Sequence, residues 1–500
     1  MTAVAENPTE RIAEPLVLAP APVIEVTESP AERFAIERAI IDRSTSGPVL
    51  TFFATAISWL FGATVFGVIA TLKLYYPHFL ADHAWLTYGR IVPTYQAMFT
   101  YGWCSLAGMG VAIWIMARLC RVPIKAPGML VFGAITWNIG LTIGVWQILA
   151  GQSTGIEGLE MPHGAMWVMF GGFLSIGLWG AALYRARKEA IAFISVWYLL
   201  GAFFWFPWIF ALSNLLTSLP EMRGLMPAVI GSWYQQSLNI WWFTAIGLAA
   251  AYYLIPKVIG RPVHSYNLAS IGFWSFAVLG GLTGMIRLSG GPVPAWLVTL
   301  SIAATIMMIV PIATVTANLV LTMSGKFYMV HLSPTVRFTF FGVIAFAIGS
   351  ILSVISALRS ADQYLHFTPW VQGQQELLLY GFFSMVIFGA IYYITPRLVG
   401  CEWLSSTLIK LHFWGAAYGG GMFICMLLLT GISMGGALRN PEGVFTQVIG
   451  SGLEFISGRM IAFFLVTIGH GLFALHFLLM LLRIGQPGGE PTLFPTHDEH

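Results

Sequence analysis

Charge is what this sequence has least of. Asp, Glu, Lys and Arg make up 9% of the 500 residues, while 57% are hydrophobic and the mean hydropathy is +0.78. A soluble domain carries about 25% charged residues, so a water-soluble globular enzyme is excluded. The net charge of +3 is too small for a nucleic-acid partner, and none is expected. Cysteine is nearly as scarce. Cys104, Cys120, Cys401 and Cys425 form no C-x-x-C pair and no C-x-x-C-H, which removes a covalently attached c-type haem and a cysteine-built zinc site. They read as small apolar residues in a membrane interior. The first 48 residues, rich in Ala, Pro and Glu, have no basic segment followed by an apolar core, which argues against a cleaved signal peptide.

Long apolar runs are abundant. A helix crosses a bilayer with roughly 20 apolar residues, and about twelve such runs are present: 50–74, 91–117, 127–150, 163–184, 191–216, 227–255, 267–289, 294–323, 336–358, 373–398, 408–432 and 457–482. The expected fold is an all-α membrane protein with about 12 transmembrane helices over residues 49–484. Before it, residues 1–48 read as a disordered tail with a short interfacial amphipathic helix at Pro30–Arg43. After it, residues 485–500 form a polar tail. No internal repeat stands out. Lys and Arg crowd alternate loops (Arg118, Arg121, Lys125; Arg185, Arg187, Lys188; Lys257, Arg261; Lys326, Arg337; Arg397). The positive-inside rule then places both termini in the cytoplasm; a bacterial inner membrane is the expected location. Trp296, Trp370 and Trp403 sit at span ends, where an interfacial belt is expected.

Polar residues inside such spans must find partners, because lipid offers none. Most single Asn and Gln residues are expected to act as interhelical hydrogen-bond glue. Trp370–Gly381 is harder to dismiss: it opens an apolar helix, yet its first turn carries Gln374, Gln375 and Glu376 in a row. Arg287 near the end of the seventh span is equally costly. Of eleven histidines, only His412, His470 and His476 lie well inside helices, and none of them forms a metal-binding cluster by spacing.

Short strings point to a family. Tyr252–Tyr266 reads Y-Y-L-I-P-K-V-I-G-R-P-V-H-S-Y and is followed by Phe273-Trp274; Leu159-Glu160-Met161-Pro162, Trp197-Tyr198, Trp233-Tyr234, Ser324-Gly325, His366-Phe367-Thr368-Pro369-Trp370, Pro396-Arg397-Leu398 and His412-Phe413-Trp414 occur in order around it. As an ordered set they resemble the catalytic subunit, subunit I, of cbb3-type cytochrome c oxidases in the haem–copper oxidase superfamily. The resemblance implies that superfamily's subunit I bundle. It also implies a low-spin haem between spans two and ten, a high-spin haem held from span ten, and a copper ion held from spans six and seven. At every implied ligand position this sequence has another residue. The haem positions are Tyr95, Gln374 and Glu376, and the copper positions are Gln236, Ile286 and Arg287. Gly280 stands where the family has its cross-linked tyrosine. An amide is a poor ligand for haem iron or copper, Ile offers no donor, and Arg would repel a copper ion.

The expectation is therefore a degenerate haem- and copper-free homologue, with no catalytic residues and no cofactor. It would be an anchor or scaffold subunit whose partner is a membrane-anchored c-type cytochrome or another respiratory subunit. Tyr95, Gln236, Arg287, Gln374, Gln375 and Glu376 would form polar networks in the emptied sites, with Tyr95 facing Glu376 and with Arg287, Gln236 and Gln374 grouped together. Two alternatives remain open at this stage. One is a redox subunit that binds quinol, or haem b through His163, His412, His470 or Tyr95. The other is an ion or solute pathway through the polar interior, using Arg287 and Glu376.

Overall fold

The computed structural model describes residues 30–485, so the expected N-terminal tail through residue 29 and the last fifteen residues lie outside the described part. Among the described residues there are helices, turns and loops. Twelve helices are long and apolar enough to cross a membrane. In chain order the spans are Pro30–Tyr75, Tyr88–Cys120, Pro127–Leu149, His163–Arg185, Ile194–Ser218, Met226–Ile259, Tyr266–Leu288, Ala295–Thr322, Pro334–Ser356, Trp370–Val399, Ser406–Leu438 and Ile456–Leu481. The segment 30–43 is helical but is not a separate interfacial element. It runs without a break through Pro48 into span one, a helix of 46 residues. At 1.5 Å per residue that is about 69 Å, more than twice the hydrocarbon thickness of about 30 Å. Span one therefore overruns the bundle at its Lys/Arg-rich end, where Glu37 pairs with Arg121 and Lys188.

Three spans are central. In spans two, six and ten, 83–89% of the apolar window is buried, against 33–50% in the other nine. These three are also the spans that contain π-helical segments, at Met98–Ser105, Asn239–Thr244 and Leu377–Ser384. A π-segment inserts an extra residue per turn and re-aims the side chains before it, and such segments gather at functional sites. Each one here begins within three residues of Tyr95, Gln236 or Glu376.

The alignment of the three π-segments uncovers a repeat that the sequence reading missed. Tyr252-Tyr253, Pro256, Lys257, Gly260, Ser265 and Phe273-Trp274 recur at one constant offset as Tyr392-Tyr393, Pro396, Arg397, Gly400, Ser405 and Phe413-Trp414. Span two carries a fainter copy, Trp114, Arg118 and Arg121. All three copies end in the left-handed conformation, at Arg121 (φ 54°), Gly260 (φ 63°) and Gly400 (φ 78°). Ser265 and Ser405 then cap the next helices by accepting from Leu268 N and Leu408 N. The copies meet around one axis. The Trp114, Tyr253 and Tyr393 rings form a triangle with centres 5.6, 5.9 and 6.5 Å apart. One tie is used twice, Trp103 Nε1 donating to Ser384 Oγ and Trp242 Nε1 to Ser105 Oγ.

The interfacial belt is only partly as expected. Trp296 is exposed, but Trp370 and Trp403 are buried and donate inward, to Ser356 Oγ and the Tyr392 carbonyl. Their indole N–H groups found protein partners, so they serve packing rather than anchoring.

Spans three and four touch through glycine. A Cβ on Gly172 would lie 2.7 Å from the Gly133 carbonyl oxygen and 2.8 Å from Trp137 N, both rigid backbone atoms. Small residues at such crossings let membrane helices approach closely. Gly172→Val should cost about 1–3 kcal/mol or more by overpacking. The expected result is a lower thermal midpoint in detergent; an unchanged midpoint would show that the crossing can open freely.

Candidate functional site

Gln374, Gln375 and Glu376 are consecutive residues on a helix, so their side chains leave in three directions about 100° apart. Each meets a different span, at the end of the bundle away from the Lys/Arg-rich loops. Gln374 Nε2 donates to Ser353 Oγ of span nine at 2.5 Å. Gln375, with its amide oxygen turned inward, accepts from both terminal nitrogens of Arg287. Glu376 Oε1 accepts from Tyr95 Oη of span two at 3.2 Å, a buried contact. The partner of Arg287 is thus Gln375 rather than Gln374. Gln374 and Gln236 still line the same cavity as Arg287, with a volume of about 360 Å³. Ile286 contributes only its backbone N–H, which donates to Ser301 Oγ at 3.0 Å.

Sequence reasoning missed Glu157. Its carboxylate lies 2.7 Å from Arg287 Nη1, and the side chains are 66% and 15% exposed. An ion pair that open to solvent contributes about 1 kcal/mol or less, so the enclosed amide of Gln375 is the more telling neighbour. Glu157 belongs to loop 151–162, which folds over the site. Tyr101 Oη donates to the Gly158 carbonyl at 2.7 Å and meets Tyr234 Oη at 2.8 Å. Gly158 N donates to Glu160 Oε1 at 2.9 Å, and Gly158 itself sits at φ +79°, where a side chain would strike Gln235. A signal was available, because this loop holds two acids and no Lys or Arg. Tyr95, Glu376, Gln96, Gln235 and Glu160 surround a second cavity of about 60 Å³.

Burial pushes the Glu160 carboxyl up to about 7, although its hydrogen bond from Gly158 N opposes the shift. The charged neighbour that adds to it is Glu157. Between its ordinary value of 4.5 and about 7 the folded protein keeps a proton that the unfolded chain releases. Stability from this group therefore falls as pH rises through that window and stays low above it. At 1.36 kcal/mol per unit the loss is on the order of 3 kcal/mol. Glu160→Gln should flatten the fall in thermal midpoint between pH 5 and pH 8. A slope equal to the wild type's would assign the pH dependence elsewhere.

The inner histidines stand apart from this cluster. His470 Nε2 meets Tyr380 Oη at 3.0 Å and His412 Nδ1 meets Tyr392 Oη at 2.9 Å, further along span ten toward the basic end. His476 Nε2 accepts from Ser405 N at 3.4 Å. Each has its other ring nitrogen buried without a partner, as does His163 at Nδ1. None of them approaches Tyr95 or Glu376 closely enough to share a hydrogen bond.

The donors at the implied haem and copper positions do not fit those groups. Tyrosine can ligate haem iron, but the Tyr95 hydroxyl is hydrogen-bonded to Glu376, and the Phe99 ring stacks between those of Tyr95 and Tyr380 at 6.3 and 6.2 Å. A haem between these positions would need both side chains free to reach it and an open space between them. At the copper positions an amide, an alkyl chain and a cation offer no imidazole. Among the described residues no three His, Cys, Asp or Glu side chains converge.

Comparison with known proteins places the chain. The family model described as "Cytochrome C and Quinol oxidase polypeptide I" matches residues 47–469. The cbb3-type cytochrome c oxidase subunit CcoN1 of Stutzerimonas stutzeri is 25% identical over 424 residues, covering 81% of this chain and 88% of that one. A cytochrome c oxidase subunit 1 homolog of Agrobacterium tumefaciens is 25% identical over 459 residues, covering 84% of each. A chain from the cryo-EM structure of a haem–copper terminal oxidase dimer superposes with a TM-score of 0.69, covering 90% of this chain and 87% of that one at 15% identity.

Proposed function

The chain belongs to the cytochrome c and quinol oxidase polypeptide I family, and from that membership we propose that it is a haem- and copper-free relative of the catalytic subunit. In this reading it is the membrane anchor or scaffold of a respiratory or electron-transfer complex. One observation carries the reading: the contact of Tyr95 with Glu376 at 3.2 Å, where the resemblance puts two haem-binding histidines. Fold does not imply function, and the chemistry of a haem–copper site needs donors that are not found at the implied ligand positions of this chain. At Tyr95, Gln374, Glu376 and Arg287 the residues in their place are polar and hydrogen-bonded rather than merely lost. Buried polar groups that satisfy one another hold helices in a defined arrangement, which is what a scaffold requires. The partner fitting this role is a membrane-anchored c-type cytochrome or another respiratory subunit, docked on the bundle with both chain termini in the cytoplasm.

The larger cavity favours a second reading. Its mixed walls of amide, hydroxyl and apolar groups suit a quinol headgroup, which would make the chain a redox subunit without metal.

A pyridine haemochrome assay on the purified, folded protein tests the first reading. The expected result is no stoichiometric b-type signal. One haem per chain would overturn it. Quinone extraction from the same sample separates the second reading from the first.

A further inference from the structure

The repeat gathers cations at the opposite end of the axis from the Tyr95–Glu376 contact. Arg118, Lys257 and Arg397 occupy equivalent positions in the three copies. Each follows its ring of the Trp114–Tyr253–Tyr393 triangle by four residues, so it lies on the same helix face one turn nearer the basic end. The rings are 5.6–6.5 Å apart, and the three cations are therefore drawn round the same axis. Their fields overlap: Lys257 feels Arg38, Arg118 and Arg397, and Asp42 feels Arg118, Arg397 and Arg38. Three cations, Arg38, Arg118 and Arg397, thus act on Asp42, which accepts from Trp114 Nε1 at 3.0 Å and pairs with Arg118 Nε at 3.2 Å.

Binding capacity is left over. The Arg118 side chain is only 9% exposed, yet its Nη1 has no hydrogen-bond partner. Aromatic faces orient two of the guanidinium groups, Arg118 over Trp114 at 5.1 Å and Arg397 over Tyr393 at 3.6 Å. Lys257 is exposed, so the cluster opens outward at the level where span one leaves the bundle. A topological bias toward Lys and Arg accounts for loop charges. It does not account for cations set round an axis with a buried N–H group unused.

We infer that Arg118, Lys257 and Arg397, gathered below the aromatic triangle, form a binding site for a phosphate group. Planar, stacked guanidinium groups and an ammonium match a compact oxyanion with several acceptor oxygens. The phosphate can belong to an anionic phospholipid headgroup of the adjoining leaflet or to a free solute. The site is independent of whether the chain holds haem, quinone or neither.

The test uses the full-length protein in detergent. Native mass spectrometry follows retention of phosphatidylglycerol against phosphatidylcholine, and calorimetry follows inorganic phosphate. The Lys257→Gln/Arg397→Gln double variant is compared with Arg185→Gln/Arg187→Gln, which removes the same charge from the same end outside the cluster. The expected result is selective retention of phosphatidylglycerol, weakened at least tenfold in the first variant and unchanged in the second. Binding of inorganic phosphate with the same variant dependence supports the site and assigns it to a free solute. Binding of neither probe, or equal weakening in both variants, overturns the proposal.

Discussion

Tyr95→Phe should destabilise the protein by about 1–3 kcal/mol, and Glu376→Leu by a similar amount, while the double variant should recover most of the loss. Each single change strands a polar group at a nine-tenths-buried position. Tyr95 is 8% exposed and Glu376 9%. A stranded group keeps the full cost of leaving water, whereas removing both partners together removes that cost. The pair should therefore be strongly non-additive, with an interaction energy within the range of about 0.5–3 kcal/mol seen for touching residues. Thermal midpoints of the four proteins in one detergent give the cycle. Additive losses would mean that the two side chains serve separate partners, and that their contact at 3.2 Å is incidental. Strong coupling would mean that two spans apposed across the bundle centre are held by one hydrogen bond, as the scaffold reading requires.

How much of this was legible beforehand differs by residue. The twelve spans and their all-helical class follow from apolar run length, because lipid leaves the backbone few alternatives. The facing of Tyr95 and Glu376 came only from the resemblance, since nothing local links residues 281 positions apart. The π-segments were not legible: no residue pattern in Met98–Ser105 or Leu377–Ser384 sets them apart from the rest of their apolar spans, and the extra residue is set by packing. Glu157 was passed over because a loop acid is usually solvated, and here it is mostly so, yet with one oxygen on Arg287. The repeat hid for a different reason. Its third copy kept an aromatic ring at Trp114 and a cation at Arg118 but replaced the Pro and Gly that mark the other two, putting Arg121 where glycine is favoured. The aromatic triangle reveals what sequence similarity had lost.

The same triangle sets the largest single effect expected. Asp42→Asn should cost about 3–5 kcal/mol, the range for breaking an enclosed ion pair and leaving its charge uncompensated. Both side chains are enclosed enough for that range, Arg118 at 9% and Asp42 at 12% exposed. The two halves of the pair are not equivalent. Arg118→Met removes one cation of several, and Arg38 and Arg397 still act on the carboxylate. Asp42→Asn instead takes away the carboxylate that the cations share, so their mutual repulsion stands unopposed. Its loss should be at least twice that of Arg118→Met, read as thermal midpoints at low ionic strength. Equal losses would show that the pair acts alone and that the other cations are bystanders. An anion that binds only the folded state adds stability of RT ln(1 + [L]/Kd), about 2.7 kcal/mol at a hundredfold excess over Kd. Phosphatidylglycerol or phosphate should therefore restore the Asp42→Asn protein more than it stabilises the wild type, because in the variant the anion takes the place of the missing carboxylate.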